Sequence, residues 1–385
     1  MNVYATAEQS PAADLRPVDA ADAFVRRDRF AHLSPEGWIV GDPDRPIAIS
    51  GVGLRIWDLA EYPTSIASLC RVLCDEFDID PDECQREVEA FILDLDSRGL
   101  IARFSAGDPM RDRYLHLLKR SLTNLIYPED ELRLWLLSGS PNESVGATDQ
   151  SYLRDVRYRE PESYDALVNA KRIGTLIHRE PGRYSHTMVG LHALTNIERL
   201  SERIFADDIP GDFVDAGTCR GGCAILMRAV QRAFQEAHRT VWVADTFSGV
   251  PQSSARADID AGLDFTAKHY PWLSASLTSV RDNFRTYDLL DAGVRFLPGL
   301  FADTLPDPQM GGIALLRIDA DLYGSTLDCL EALYDLVVVG GFVIVDDYGG
   351  LEPCRAAVDE FRARRRITAP LIRVNWTVVW WQKDE

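Results

Sequence analysis

The sequence predicts an α/β protein in two parts, a small α+β unit followed by a doubly wound parallel sheet. Three observations predict it. The chain has 385 residues, 46% of them hydrophobic and 26% charged, an ordinary globular composition but too long for one typical domain. Within the first hundred residues, short strand-like stretches give way to a 3.6-residue period. Beyond residue 212, apolar runs of strand length alternate with helical patterns, the arrangement that builds a parallel sheet covered on both faces.

Residues 1–21 are rich in Ala, Asp and Pro without periodicity and read as a poorly ordered tail. Between Phe24 and Ser50, apolar stretches such as Trp38-Ile39-Val40 and Ile47-Ala48-Ile49 are separated by turn formers including Gly41-Asp42-Pro43-Asp44, a strand-turn-strand pattern. Ile66, Leu69, Cys70, Leu73 and Phe77 then recur with helical spacing, which predicts a helix over Thr64–Glu76. Asp80-Pro81-Asp82-Glu83 supplies an N-cap, a first-turn proline and a capping-box acid for the next helix, whose apolar face is Cys84, Val88, Phe91, Ile92 and Leu95. Gly99 is its natural stop. Asp108-Pro109 marks a linker, and a helix from Met110 with Tyr114, Leu117, Leu118 and Leu122 opens the second part.

Composition removes several function classes. Sixty acidic against 41 basic residues give a formal charge of −19, which disfavours nucleic acid and anionic membranes. The longest apolar run, Leu336–Val345, is half of the roughly 20 residues that span a bilayer. With no signal-like start, the expected location is the cytoplasm. Seven cysteines without a CxxC pair suggest buried thiols rather than a disulfide framework or zinc site.

The Phe24–Ser50 strands, the Gly53–Leu59 helix, the Thr64 helix and the Val88–Gly99 helix ending in Arg98-Gly99-Leu100-Ile101 resemble a PqqD-like domain over residues 22–105. That resemblance implies a winged-helix-like fold that captures the leader of a ribosomally made precursor peptide as an added strand. The strand edge would be Pro46–Ser50 and the helix Cys84–Asp96. DNA binding and a purely structural cap are the other readings; 10 basic against 21 acidic residues over 1–110 speak against DNA.

The second part carries the chemistry. Strands are predicted at Asp212–Ala216, Thr240–Ala244, Val294–Leu297, Ile313–Ile318, Phe342–Val345 and Val374–Trp381, with helices at Gly190–Phe205, Gly222–Glu236, Thr278–Tyr287, Thr326–Leu336 and Cys354–Arg364. Such sheets bind ligands beyond the strand carboxyl ends. The first of these strands ends in Asp215-Ala-Gly217-Thr-Cys-Arg220-Gly221-Gly222, a glycine-rich turn without the GxGxxG spacing of dinucleotide sites. A carboxylate at Asp215 repels phosphate and suits a cationic amino acid or sulfonium, while Asp245 ends the next strand where an acid grips a ribose diol. Together they favour S-adenosylmethionine over NAD; the plainer reading of each acid is a helix cap or a solvated loop.

Asp319 and Asp321 follow one strand and Asp346 and Asp347 the next, placing four carboxylates on one rim. Their repulsion calls for a cation or a proton, and oxygen-only donors suit Mg²⁺. Helix capping or pairing with Arg317 and Arg355 is the alternative.

Thr187-Met-Val-Gly190-Leu, Thr218-Cys-Arg220-Gly-Gly, Val243-Ala-Asp245-Thr246-Phe247-Ser-Gly249, Phe296-Leu-Pro-Gly299-Leu-Phe301, Asp319-Ala-Asp321-Leu-Tyr323-Gly-Ser325 and Val345-Asp346-Asp347-Tyr348-Gly349 resemble the macrocin O-methyltransferase (TylF-like) family from about Arg113 onward. The resemblance implies a Rossmann-like methyltransferase domain over 110–385, S-adenosylmethionine as donor, and Mg²⁺ presenting a substrate hydroxyl, usually on a sugar. It further implies Asp319, Asp346 and Asp347 as metal ligands and Asp321 as general base. Thr187, Asp215, Gly217, Arg220, Gly221, Asp245, Thr246 and Phe247 form the expected cofactor set. Asp215 stands where the family more usually has glutamate, and Thr218-Cys219 alters its GxWRGG turn.

The two resemblances combine into an O-methyltransferase of a precursor peptide held by the first domain. The alternatives are a sugar or other small-molecule acceptor such as a glycoside, and a non-catalytic peptide-binding scaffold. A homo-oligomer is the expected assembly. His186, and His269 and Tyr270 in a Pro251–Leu277 segment that would cover the site, read as loop residues. Trp376, Trp380 and Trp381 read as sheet packing. The basic run Arg362, Arg364, Arg365, Arg366 is expected at the opposite end of the sheet from the carboxylate rim.

Overall fold

The computed structural model describes residues 24–27, 31–34, 37–40, 47–49, 51–60, 64–97, 101–104, 108–137, 154–174, 185–307 and 309–384. The expected tail, the 41–44 turn, the Gly99 stop and residues 105–107 of the linker lie outside them. The chain divides into two compact units, Met1–Tyr114 and Leu115–Glu385. The division thus falls inside the Pro109–Leu122 helix rather than in a linker before it. Asp108 begins that helix, its carboxylate accepting from the Met110 and Arg111 amides.

In the first unit the strands are β1 Phe24–Arg27, β2 Ala31–Ser34, β3 Gly37–Val40, β4 Ile47–Ile49, β5 Thr64–Ser65 and β6 Ile101–Phe104. They form two three-stranded sheets, β5-β1-β6 and β2-β3-β4. β4 is an edge strand of the second sheet. The helix expected from Thr64 starts at Ile66, because Thr64–Ser65 pairs with β1 and the Ser65 hydroxyl caps the helix at Ser68 N. The Asp80 cap forms as the sequence predicts, its carboxylate accepting from the Asp82 and Glu83 amides. Ile66, Leu69, Leu73, Cys84, Val88, Phe91, Ile92 and Leu95 then close on Ile56 and Trp57 as one core.

The second unit is built on a seven-stranded sheet: β7 Asp212–Ala216, β8 Val241–Asp245, β9 Val294–Pro298, β10 Ile313–Ile318, β11 Val337–Val345, β12 Ile372–Arg373 and β13 Val379–Gln382. Their order is β12-β13-β11-β10-β7-β8-β9. β9 through β11 in this order run parallel, while β13 is antiparallel to β11 and β12 to β13, so the sheet is mixed rather than wholly parallel. The single strand expected over Val374–Trp381 is broken because Asn375 Oδ1 accepts from the Thr377 and Val378 amides, an Asx turn that starts a hairpin. β11 begins earlier than Phe342, running through a bulge at Gly340, whose φ is +86°.

Burial on both faces explains the apolar strands. Phe213, Val243 and Leu315 pack with the Leu191–Ala206, Gly222–Ala233 and Leu277–Thr286 helices, while Val214, Leu316, Ile318 and Val345 pack with the Tyr323–Leu333 and Glu352–Arg365 helices. In the Pro109–Leu122 helix, Leu115, Leu118 and Leu122 are buried and Tyr114 and Leu117 exposed, a face one residue away from the expected one. The helices Pro128–Leu137 and Pro161–Ile173 occupy a stretch whose charged residues gave the sequence no apolar period to read. Topologically, the order reverses between β7 and β10, and the carboxyl ends of these two neighbours define the crevice where an open sheet binds ligands.

Candidate active site

A cavity of about 1090 Å³ opens at that crevice. Its floor is the β7 turn, and the turn requires glycine. Gly217 sits at φ +88°, and a Cβ there would lie 1.7 Å from the Asp319 carbonyl oxygen, so only a bare backbone lets β7 and β10 leave the sheet side by side. Asp319 N in turn donates to Ala216 O. Cys219 takes a left-handed φ of +49°, and burial pushes its thiol up to about 12, leaving an uncharged group on the cavity wall.

Asp245, at the end of β8, lines the cavity and braces two turns at once: its carboxylate accepts from Cys219 N at 3.0 Å and Phe247 N at 2.7 Å. Burial raises its proton affinity, and these amides oppose the shift. The Thr218 amide also turns to this carboxylate, which has about four acceptor sites when ionised and so keeps capacity for a ligand hydroxyl. Thr246 also lines the cavity and donates to Gly249 O.

The other expected cofactor residues stand behind this surface. Asp215 is fully buried, with one oxygen taking Arg317 Nη1 at 2.7 Å and the other Thr218 Oγ1 at 2.9 Å, so direct contact with a ligand cation is replaced by support of the turn. Arg220 spends its guanidinium on the Ser185 and Trp272 carbonyls, clamping a segment on either side of the site. Thr187 packs on the start of the Gly222 helix, where a Cβ would meet its side chain at 2.7 Å. Gly221 precedes that helix at φ +90° and Phe247 is buried against Phe296. None of these five lines the cavity. His186 is fixed by Tyr287, its Nδ1 2.7 Å from the phenol oxygen, and is likewise structural.

Three of the four rim carboxylates meet. Asp319, Asp346 and Asp347 each offer an oxygen, and the three atoms lie within 4.8 Å of one another; Asp321 is outside this group. Arg317, 2% exposed on the fully buried strand β10, pairs with Asp215, Asp319 and Asp346. Pairing with Arg317 is therefore real, but Arg355 turns to the Tyr348 carbonyl instead. One guanidinium cannot neutralise five carboxylates. Burial, then neighbouring aspartates, push Asp321 up to about 8, and burial with Asp319 pushes Asp346 up to about 7. Asp347 is raised as well, by burial and then by Asp321. An all-oxygen group with surplus negative charge fits a hard divalent cation.

The far side of the cavity is aromatic and comes from the segment expected to cover the site. Phe265, Tyr270 and Trp272 from the Pro251–Leu277 segment form a wall, with ring centroids 5.4 and 5.2 Å apart in edge-to-face contact. His269 is exposed beside Asp264. Trp376 is not sheet packing: it caps the Asn375 hairpin, 47% exposed, and lines the cavity, whereas Trp381 is buried in β13. Its backbone passes so close that a Cβ on Gly349 would be 2.0 Å from Trp376 O. Arg362, Arg364 and Arg365 engage Ala369 O, Glu331 and Asp335 and do not line the cavity. Sequence reasoning missed the cavity role of Trp376 and Trp272; an aromatic next to an Asn-x-Thr turn is the only local signal for the first.

Residues 111–383 match the family model described as macrocin-O-methyltransferase (TylF), and residues 37–101 match coenzyme PQQ synthesis protein D (PqqD). Over 273 residues the chain is 40% identical to an 8-demethyl-8-(2,3-dimethoxy-alpha-L-rhamnosyl)-tetracenomycin-C 4'-O-methyltransferase of Streptomyces olivaceus, covering 71% of this chain and 93% of that one. It is 43% identical to a demethyldecarbamoylnovobiocin O-methyltransferase of Streptomyces niveus, covering 66% and 92%. The solved structure of the O-methyltransferase NovP is 38% identical, with a TM-score of 0.57 over 71% of this chain and all of that one. No described helix is long and apolar enough to cross a membrane. With the family's motifs gathered at one crevice, the chain belongs to the macrocin-O-methyltransferase (TylF) family and is an S-adenosylmethionine-dependent O-methyltransferase.

Proposed function

We propose that the enzyme methylates a hydroxyl on the sugar of a neutral glycosylated natural product, using Mg²⁺. The observation that carries the substrate class is the charge of the cavity. Among its described lining residues are six aspartates, 245, 319, 321, 328, 346 and 347, and no Lys, Arg or His. A nucleoside-diphosphate sugar would bring two or more negative charges to a lining with no described cationic side chain to pair them, while a glycoside brings none. The rhamnosyl-tetracenomycin named for one relative is an acceptor of this kind.

The protein's own part is mostly positioning. Asp245 takes the ribose diol of the donor, and the side-chain-free Gly217 lets the donor approach the backbone. Phe265, Tyr270 and Trp272 exclude water, and the pair of reactants is held in line. Asp321 removes the hydroxyl proton as the methyl group transfers. Asp319, Asp346 and Asp347 would hold Mg²⁺, which when bound would supply acidification and orientation of that hydroxyl. Asp215, Thr187, Arg220, Gly221 and Phe247 keep these surfaces in place from behind.

The test is mass spectrometry of rhamnosylated tetracenomycin and of demethyldecarbamoylnovobiocin after incubation with S-adenosylmethionine, in Mg²⁺ or in EDTA. A gain of one methylene that needs Mg²⁺ supports the reading; a nucleoside-diphosphate sugar methylated in preference to both glycosides sinks it. Trp376 should serve the acceptor side. Trp376→Ala is expected to raise the acceptor KM about tenfold with the donor KM unchanged, the loss of roughly one aromatic contact.

A second reading rests on the PqqD match over 37–101 and the edge position of β4. The relatives above are covered almost end to end by about 71% of this chain, so its remaining portion has no counterpart in them. In this reading the domain at 22–105 captures a precursor peptide for the methyltransferase domain at 110–385, raising its effective concentration. Deleting residues 1–105 abolishes methylation of a peptide acceptor in this reading and leaves glycoside methylation intact in the first.

A further inference from the structure

We propose that Asp258 is the positioning residue that joins the aromatic wall of the cavity to the turn carrying Asp321. Asp258 lies in the short Arg256–Asp260 helix, within the Pro251–Leu277 segment, and is completely buried. Its carboxylate faces the Tyr323–Leu333 helix. Oδ1 accepts from Tyr323 N at 2.8 Å, and Oδ2 accepts from Gly324 N at 3.4 Å and from the Ser253 hydroxyl at 2.5 Å.

These are the first two amides of a helix whose own N-cap residue is Leu322, which has no side-chain acceptor. Orphan amides at a helix start need a partner, and a carboxylate there is favoured by the helix dipole as well. The partner comes from 65 residues away in sequence. Two consequences follow from that distance. The segment bearing Phe265, Tyr270 and Trp272 is fastened to the sheet side of the cavity, so closely that a Cβ on Gly324 would lie 3.5 Å from Ala255 Cβ. At the same time the backbone immediately after Asp321 is fixed, so that the left-handed turn at φ +56°, which aims Asp321, is held from its C-terminal side. One carboxylate thus sets both the closed wall and the base, without touching either reactant.

The proposal depends on the cavity being the active site and is independent of which acceptor it takes. It is tested on the full chain with Asp258→Ala, Asp258→Asn and Ser253→Ala. The first readout needs no ligand: tryptic cleavage at Arg256 and Lys268, both exposed in this segment. Cleavage in Asp258→Ala is expected to rise about tenfold, the effect of losing one helix cap, with Ser253→Ala and Asp258→Asn between it and wild type. Asn keeps one acceptor oxygen and so restores part of the clamp. The second readout is the dissociation rate of S-adenosylhomocysteine by stopped-flow tryptophan fluorescence, expected to rise by a similar factor in the same order.

A purely structural cap would lower the melting temperature and leave the dissociation rate at its wild-type value. That pattern overturns the proposal, as does unchanged cleavage in Asp258→Ala. If Asp258→Ala fails to fold, Asp258→Asn and Ser253→Ala decide by the same two readouts.

Discussion

Asp321→Asn is expected to lower kcat by about 10³ while S-adenosylhomocysteine binds within twofold of its wild-type affinity. The size follows from the chemistry and the selectivity from the geometry. Asp321 lies outside the three-oxygen group of Asp319, Asp346 and Asp347, so its loss leaves that group intact. Its own backbone conformation, φ +56°, is one that Asn adopts nearly as well as Asp, and its amide still donates to Asp347 Oδ2. The carboxamide cannot take a proton, which isolates that function. Burial and the neighbouring aspartates hold the Asp321 carboxyl at about 8 in the absence of a cation. A bound cation would lower it, so the wild-type rate should rise with pH through an ionisation at or below 8, and the variant's residual rate should lose that ionisation. Wild-type turnover in Asp321→Asn would remove the residue from the proton transfer.

The sheet was legible because its strands are buried on both faces and their apolar runs have no other explanation. Asp212–Ala216 and Ile313–Ile318 are read to the residue. What failed to show was set by single polar contacts. Asn375 breaks the last strand through side-chain bonds to its own backbone, and no hydropathy pattern reports that. The charged stretch before Ser185 forms helices joined by the buried ion pair Lys171–Glu131, so its core is partly written in residues that sequence reading assigns to solvent.

The same limit applies to the site. Its rim was visible as two pairs of aspartates at strand ends, since an acid there has few structural uses. Which acids face the cavity was not, because facing depends on Arg317. Sequence reading gave that arginine only the minor part of a possible neutralising partner. Buried among three carboxylates, it turns Asp215 away from the ligand and into the support of the turn. Asp258 carried no signal at all: its partners are backbone amides 65 residues on.

Mg²⁺ is expected to raise the melting temperature of the methyltransferase unit by about 8 °C at pH 8 and far less at pH 5.5. Unfolded aspartates titrate near 4, whereas Asp321 and Asp346 are held at about 8 and about 7 in the cation-free fold and Asp347 is also raised. Each therefore binds its proton more tightly folded than unfolded. The stability this gives is full below about pH 4 and is lost as pH rises through the folded values, so the melting temperature in EDTA should fall between pH 5.5 and 8. A cation reverses the balance, because it favours the ionised carboxylates that the fold alone disfavours. At a hundred times its dissociation constant it stabilises by about 2.7 kcal/mol, roughly 3 °C per kcal/mol for a unit of this size. The overall charge of −19 also weakens the fold at high pH, but that effect is spread over the surface and has no preference for Mg²⁺ over an equal ionic strength of Na⁺. Replacing Asp346 and Asp347 together by Asn should flatten the pH dependence in EDTA and abolish the Mg²⁺ response. Equal melting temperatures in Mg²⁺ and EDTA at pH 8 would instead leave Arg317 and bound protons as the whole answer to the rim's charge, and Asp321 would have to deprotonate the acceptor without a cation to acidify it.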